Sequence, residues 1–289
     1  MPLFPGLVKD ANGAPKHLTQ TRLDFGQSLA PVTCPALDCA MTYTPSDESD
    51  TALHNMYHNR HNSGIELGKP FLKSAMKWCY EVPSIPGSVV VVDRKISLPS
   101  RKVVQKVLEV VNKELGSVDI TEEDLWSQRP VPGDADESRK CDRYKAFLHV
   151  INGKCVAIAL AERISKCYRV LPASTDAPAD KMDLDLNTGG APTKQNPQYP
   201  TGSTIEHHSL NLSKDMHNAV VGVSRIWTSQ AFRRKGIANN LLDCVVNQFI
   251  YGLEIAREEV AFTQPTDAGA DLAKAWFDEP AGWGVYVEE

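Results

Sequence analysis

Cys34, Cys39, His54 and His58 stand in the pattern C-x4-C-x14-H-x3-H. A tight turn can bring the two thiolates together, and three residues between histidines place both imidazoles on one side of a helix. The set therefore suits a tetrahedral zinc ion in a structural role. Tyr43 and Leu53 are expected to fill the small apolar core that a metal must help to stabilise in so short a segment. The residues leading into that helix include Asp47, Glu48 and Asp50 rather than basic or amide side chains, a surface that repels phosphate. The finger is read as a scaffold or protein-binding element, with no sequence-specific DNA reading expected.

A second constellation, Arg233-Arg234-Lys235-Gly236-Ile237-Ala238, fits R-x-x-G-x-A and lies between a strand pattern and a helix pattern. Gly236 lets the backbone approach an anion, and the first amides of the following helix lack intrahelical partners and lie at its positive end. Between Met216 and Leu242 the charged residues are Arg225, Arg233, Arg234 and Lys235, so four cations and no acid are expected around the loop. A pyrophosphate suits that setting.

These groups need elements to hold them. Ser88 to Arg94 reads as a valine-rich strand, and Pro99-Ser100 opens a helix with Val103, Val104, Val107, Leu108, Val111 and Leu115 on one face. Thr121-Glu122-Glu123-Asp124 reads as a capping box. Tyr144 to Ile151 and Lys154 to Ile164 flank Asn152-Gly153 as a hairpin. Ala219 to Trp227 (strand), Ala238 to Phe249 (helix), Glu259 to Phe262 (strand), Thr266 to Phe277 (helix) and Trp283 to Val287 (strand) follow, giving an α+β class. Residues 1–30 are expected to be a flexible tail and about 172–206, rich in proline and glycine, a disordered insertion. The 289 residues carry 31 basic and 36 acidic side chains, a net charge of −5 that argues against a nucleic-acid coat protein. Apolar runs such as Val156 to Ala161 are too short to span a membrane. The start, Met-Pro-Leu-Phe-Pro-Gly, shows no secretory signal, so the seven cysteines are expected as thiols or metal ligands in a reducing compartment.

The loop and its setting resemble the GNAT acetyltransferases, whose fold is a mixed central sheet flanked by helices. More specifically, Ser224-Arg225-Ile226-Trp227, Phe249-Ile250-Tyr251-Gly252, Glu258 to Thr266 and Val285-Tyr286 resemble the cohesion-establishment (ESCO) acetyltransferases. The finger resembles theirs as well. The resemblance covers about residues 30–66 and, discontinuously, 84–289, and implies a finger over 31–66 followed by a GNAT domain over 84–289. It also implies acetyl-CoA as co-substrate, held by Ile226, Trp227, Thr228, Arg233, Arg234, Lys235, Gly236, Ile237, Ala238 and Asn239, together with structural zinc. The implied acceptor is a lysine on the ATPase head of the SMC-type cohesin subunit, acetylated in the nucleus, on chromatin, during DNA replication. Gln20-Thr21-Arg22-Leu23-Asp24-Phe25 partly matches the Q-x-x-L core of peptides that dock on the replication sliding clamp, although Gly26 and Gln27 replace its paired aromatics. A GNAT enzyme acting on another protein or a small amine, and a DNA-binding finger protein, are the rival classes.

A lysine ammonium with a reference pKa near ~10.4 must lose its proton before it attacks a thioester. Val220 to Trp227 contains no carboxylate. The resemblance points to Ser224 and to the position of Gln264, where vertebrate relatives carry an aspartate. Glutamine cannot act as a carboxylate base, so Ser224 and Gln264 are read as orienting the lysine and a water through which the proton leaves. Glu258 and Glu259 are secondary candidates. Trp276 stands where GNAT folds often hold an acidic tyrosine, so the thiolate is expected to leave unassisted. Cys244, the other cysteines outside the finger and His149 are read as packed side chains.

Overall fold

A computed structural model describes residues 30–35, 39, 41–75, 79–81, 85–132, 136, 138–172 and 210–288. Apart from Ala30 and Pro172, the expected tail, its clamp-type peptide and the expected insertion lie outside these residues. The chain divides into two compact units, Met1–His58 and Asn59–Glu289.

In the first unit β1 (Val32–Thr33) pairs antiparallel with β2 (Thr42–Tyr43) ahead of α1 (Glu48–Ser63). Asp47 caps this helix: its Oδ1 accepts the amides of Ser49 at 2.8 Å and Asp50 at 3.2 Å. Hydrogen bonds from the Ser49 hydroxyl and these amides hold the Asp47 carboxyl below its ordinary range. One of the acids that would repel phosphate is thus also the cap.

The second unit runs β3 (Ile65–Glu66), α2 (Lys69–Ala75), β4 (Cys79–Glu81), β5 (Ser88–Val92), α3 (Leu98–Leu115), α4 (Glu122–Leu125), β6 (Gln128–Pro130), β7 (Lys140–Asp142), β8 (Tyr144–Ile151) and β9 (Lys154–Arg163). It continues with β10 (Lys166–Arg169), β11 (His217–Asn218), β12 (Val221–Thr228), α5 (Ile237–Gln248), β13 (Val260–Thr263), α6 (Asp267–Phe277) and β14 (Gly284–Tyr286). The main sheet has the order β11-β10-β14-β13-β12-β9-β8-β5-β4, with β3 added to β9. Only β12–β13 and β13–β14 are parallel pairs among the described strands.

Local chemistry accounts for these elements. Asn152 and Gly153 both adopt positive φ, 50° and 79°, as the two-residue turn between β8 and β9 requires. Pro99 lies in the first turn of α3, Gly116 closes it in the left-handed region, and Val104, Val107, Leu108 and Val111 form its buried stripe. Thr121 caps α4 and Thr266 caps α6, each accepting an amide three residues on. β9 is buried from Cys155 to Ala161 because both sheet faces are covered: one core holds Leu241, Val245, Phe262 and Trp276, the other Phe71, Val104, Val111 and Leu160.

Strand β12 changes faces midway. Its ladder with β9 slips between Val223 and Arg225, where Ser224 is an extra residue opposite Leu160 and Ala161. Before the slip Val221 and Val223 enter the α5/α6 core; after it Trp227 enters the α3 core and Ile226 packs on the first. An uninterrupted strand would send Val223 and Trp227 to the same side. Just before the slip Gly222 lies under the Tyr286 ring, which a Cβ at position 222 would strike. From there the Tyr286 hydroxyl reaches Glu162 Oε2 on β9 at 3.1 Å. Burial and the Glu162 charge push the Tyr286 phenol well above its usual pKa, so it remains a donor. Gly222→Ala should therefore displace that ring and destabilise the protein by about 1–3 kcal/mol. Urea denaturation reads this directly, and unchanged stability would contradict the packing described.

Candidate active site and metal centre

In the finger unit the ligand atoms of Cys34, Cys39 and His58 lie within 4.8 Å of one another. His54 stands beside them rather than among them: its Nε2 is 3.7 Å from Cys39 Sγ, and its ring stacks on Tyr43 with centroids 3.9 Å apart. The buried His54 Nδ1 has no hydrogen-bond partner. Two thiols, two imidazoles and an orphaned ring nitrogen form a donor set that fits zinc. Burial pushes the Cys39 thiol up, so a metal must displace its proton. Tyr43 packs as expected, but Leu53 is 50% exposed and fills no core.

The second unit carries the candidate anion site. Ser229 and a 3-10 turn over Gln230–Phe232 lead into Arg233, after which Arg234 and Gly236 take positive φ of 60° and 77°. Gly236 serves as N-cap of α5 with no side-chain cap, and the first helical turn holds no acid. The Asn240 amide is the first to bond back, to Gly236 O at 3.0 Å. The amides of Ile237, Ala238 and Asn239 therefore face outward at the helix's positive end. Among the described residues only Ile85 Cδ1, at 3.8 Å, comes within reach of a Cβ at position 236. Arg233, Arg234 and Lys235 are exposed, with Arg233 Nε donating to Thr228 O at 3.0 Å. Arg225 is not part of this patch. It is 6% exposed and engaged inside the unit, so the loop offers three cations rather than four.

The strand before the loop has a free edge. β12 pairs with β13 only over Val221–Val223; beyond Ser224 it keeps β9 on one side and no strand on the other among the described residues. Extended backbone at Ile226, Trp227 and Thr228 thus stands open to an amide-bearing chain leading toward the loop. The Trp227 side chain contributes nothing there, being buried with Nε1 donating to Glu114 Oε2 at 2.5 Å.

Ser224 sits where β12 and β13 part, 3% exposed. Its hydroxyl donates to Glu288 Oε1 and accepts from Arg225 Nη1 at 3.1 Å. Arg225 Nη1 pairs with Glu288 at 3.0 and 3.2 Å. A carboxylate thus adjoins Ser224, brought from 64 residues away by the end of β14. Sequence reasoning missed it because nothing local to Ser224 signals it. Gln264 follows β13, exposed and without a side-chain hydrogen bond among the described residues; no bond joins it to Ser224. Glu258 and Glu259 precede β13, at the end of the strand remote from Ser224.

Of the remaining nucleophiles, Cys155, Cys167 and His149 are buried, while Cys79, Cys141 and Cys244 are half-buried. Burial pushes the Cys155 thiol to about 12 and the Cys244 thiol to about 11. None of the seven cysteines forms a disulfide. His149 is fully buried, donates from Nε2 to Pro86 O at 2.8 Å, and has its pKa lowered by burial. Trp276 donates to Asp243 Oδ1 at 2.8 Å, which leaves it no part in leaving-group chemistry.

Comparison with known proteins adds identity to this geometry. The ESCO1/2 acetyl-transferase family model matches residues 217–286, and the model for the zinc-finger of acetyl-transferase ESCO matches residues 20–60. The xEco2 acetyltransferase domain bound to a CoA conjugate shares the fold, with a TM-score of 0.51, 24% identity, and coverage of 73% of this chain and 96% of that one. With the finger model and the donor set in hand, about one equivalent of zinc per chain is expected by metal analysis after dialysis. The Cys34→Ser, Cys39→Ser double variant should lose it, and full retention would overturn the ligand assignment. The N-acetyltransferase Eso1 of Schizosaccharomyces pombe is 31% identical over 269 residues, 93% of this chain but 26% of the relative's length. N-acetyltransferase Eco1 of Yarrowia lipolytica is 31% identical over 268 residues, 90% of this chain and 72% of that protein. Identity at this level over most of both chains, on a sheet that opens above a basic helix-capping loop, places this chain in the ESCO/Eco1 family of N-acetyltransferases.

Proposed function

We propose that this chain transfers the acetyl group of acetyl-CoA to lysine Nζ atoms on the ATPase head of the SMC-type cohesin subunit, in the nucleus during S phase, so establishing sister-chromatid cohesion. The observation that carries the transfer chemistry is the opening of β12 from β13 at Ser224, continuous with the loop Arg233–Gly236. Family membership supports the cohesin acceptor and the nuclear site. The same reading assigns Gln20–Phe25 to docking on the replication clamp, and Cys34, Cys39, His54 and His58 to structural zinc.

Acetyl-CoA would supply an activated thioester and a pyrophosphate handle. The outward amides of Ile237, Ala238 and Asn239, with Arg233, Arg234 and Lys235, fit the pyrophosphate. The free backbone edge at Ile226, Trp227 and Thr228 fits the amides of the pantetheine arm. Ser224 and Gln264 flank the end of the opening, where they orient the amine and a water that carries off its proton. A side-chain amide and a hydroxyl can do this without storing charge.

Incubating the purified chain with labelled acetyl-CoA, cohesin ATPase heads and a panel of small amines decides between acceptors. Label on head lysines is expected; label confined to small amines would contradict the protein-lysine reading. Gly236→Asp forces a side chain into the left-handed region and sets a negative charge at the helix start. Acetyl-CoA affinity by calorimetry should fall about 100-fold. Binding within a few-fold of wild type, with the fold intact, would show the phosphate site to lie elsewhere. Gln264→Ala should slow transfer, whereas Gln264→Asp should match or exceed wild type at neutral pH by adding a carboxylate acceptor. Equal rates for all three proteins would remove position 264 from the mechanism.

A further inference from the structure

A serine hydroxyl has one proton to donate and two lone pairs to accept with. At Ser224 the proton goes to Glu288 Oε1, and one lone pair takes Arg225 Nη1 at 3.1 Å. Neither partner is free to rotate away. Arg225 Nε donates to Asn112 Oδ1 at 3.3 Å, Nη2 to Val118 O at 3.1 Å and Nη1 to Ser224 O at 2.8 Å. Asn112 is turned the right way because its Nδ2 donates to Asp119 Oδ1 at 2.9 Å. Glu288 in turn is held by Arg225 through both oxygens. The bulge makes this possible, since an extra residue in β12 lets the adjacent side chains of Ser224 and Arg225 meet one carboxylate. The two protons of Arg225 Nη1 are shared among Ser224 O, Ser224 Oγ and the Glu288 carboxylate, and with its own proton committed to Glu288 the Ser224 hydroxyl can meet anything arriving at the opening only as an acceptor.

We propose that Glu288 is a positioning residue for acetyl transfer, fixing the Ser224 hydroxyl as a hydrogen-bond acceptor for the incoming lysine amine. The inference rests on the acetyl-transfer reading above. An amine that donates N–H to Ser224 has its own lone pair aimed away from the serine, toward the thioester carbon. If Ser224 could turn its proton outward, it would instead engage that lone pair and block attack. In the step itself the nitrogen lone pair forms the new C–N bond, the C–S bond breaks, and coenzyme A departs as the thiolate. The amine's surplus protons leave through water, and Glu288 takes up none of them, remaining paired with Arg225. Glu288 acts only through Ser224, and this separates it from an independent base and from a mere counter-ion for a buried arginine.

The test is a double-mutant cycle on the full chain, measuring transfer from labelled acetyl-CoA to cohesin heads for wild type, Ser224→Ala, Glu288→Gln and the double variant. Each single variant should lower kcat about tenfold while the KM for acetyl-CoA stays within about twofold. The double variant should be no more than about twofold slower than Ser224→Ala, because the serine that Glu288 orients is already gone. Glu288→Asp, which keeps a charge opposite Arg225, carries the same comparison if the amide variant does not fold. Wild-type kcat in a folded Glu288 variant, or single losses that multiply in the double variant, would overturn the proposal. A wild-type chain that acetylates nothing would instead contradict the acetyl-transfer reading on which it rests.

Discussion

The one-residue slip of β12 against β9 at Ser224 is the constraint around which the second unit is arranged. Before it, β12 is an ordinary interior strand with β9 on one side and β13 on the other. After it, the strand has turned its side chains over, sent Trp227 into the α3 core and lost β13 as a partner. The lost ladder leaves unpaired backbone, which a folded protein tolerates only where something else will satisfy it. On the proposed reading, that free edge and the outward amides of α5 together form the track for a chain of amides ending in a pyrophosphate.

A strand pair that separates needs its flanks held, and two carboxylates do so from opposite directions. Glu162, 1% exposed on β9, accepts Arg143 Nε at 2.8 Å, Arg129 Nη2 at 3.0 Å and the Tyr286 hydroxyl. A buried carboxylate with this many donors is satisfied, and removing a charged partner from such a site typically costs about 3–5 kcal/mol. Its bond to Tyr286 reaches from β14 across to β9, which is why position 222 has no side chain. Glu288 makes the shorter crossing, from the end of β14 to Ser224 and Arg225 on β12. The last strand in the chain thereby braces β12 at Gly222 and at Ser224–Arg225, where it parts from β13.

Much of this could be read from residue order. The C-x4-C-x14-H-x3-H spacing marked the finger, Asn152-Gly153 the hairpin, and R-x-x-G-x-A the capless helix start, because each is a local pattern with a local physical cause. What escaped was nonlocal. A bulge leaves no mark in a run such as Val221 to Trp227, where apolar residues stand at both odd and even positions and Arg225 is the only charged residue. Arg225 looked like a fourth loop cation because sequence proximity to Arg233 says nothing of the face onto which the bulge turns it. Glu288 could not be connected to Ser224 until β14 was laid beside β13. In the finger, Leu53 was expected in the small core yet is exposed, while His54 takes the ring contact with Tyr43.

The most direct measurement is amide hydrogen–deuterium exchange of the intact chain with and without acetyl-CoA. If the edge freed by the bulge and the start of α5 together hold the donor, protection should appear at Ile226–Thr228 and at Ile237–Asn239, and be small over β8 and β5. Saturating acetyl-CoA that leaves both segments exchanging at their free rates, or that protects only a surface such as the hollow lined by Asp243, Glu254 and Arg257, would contradict the account.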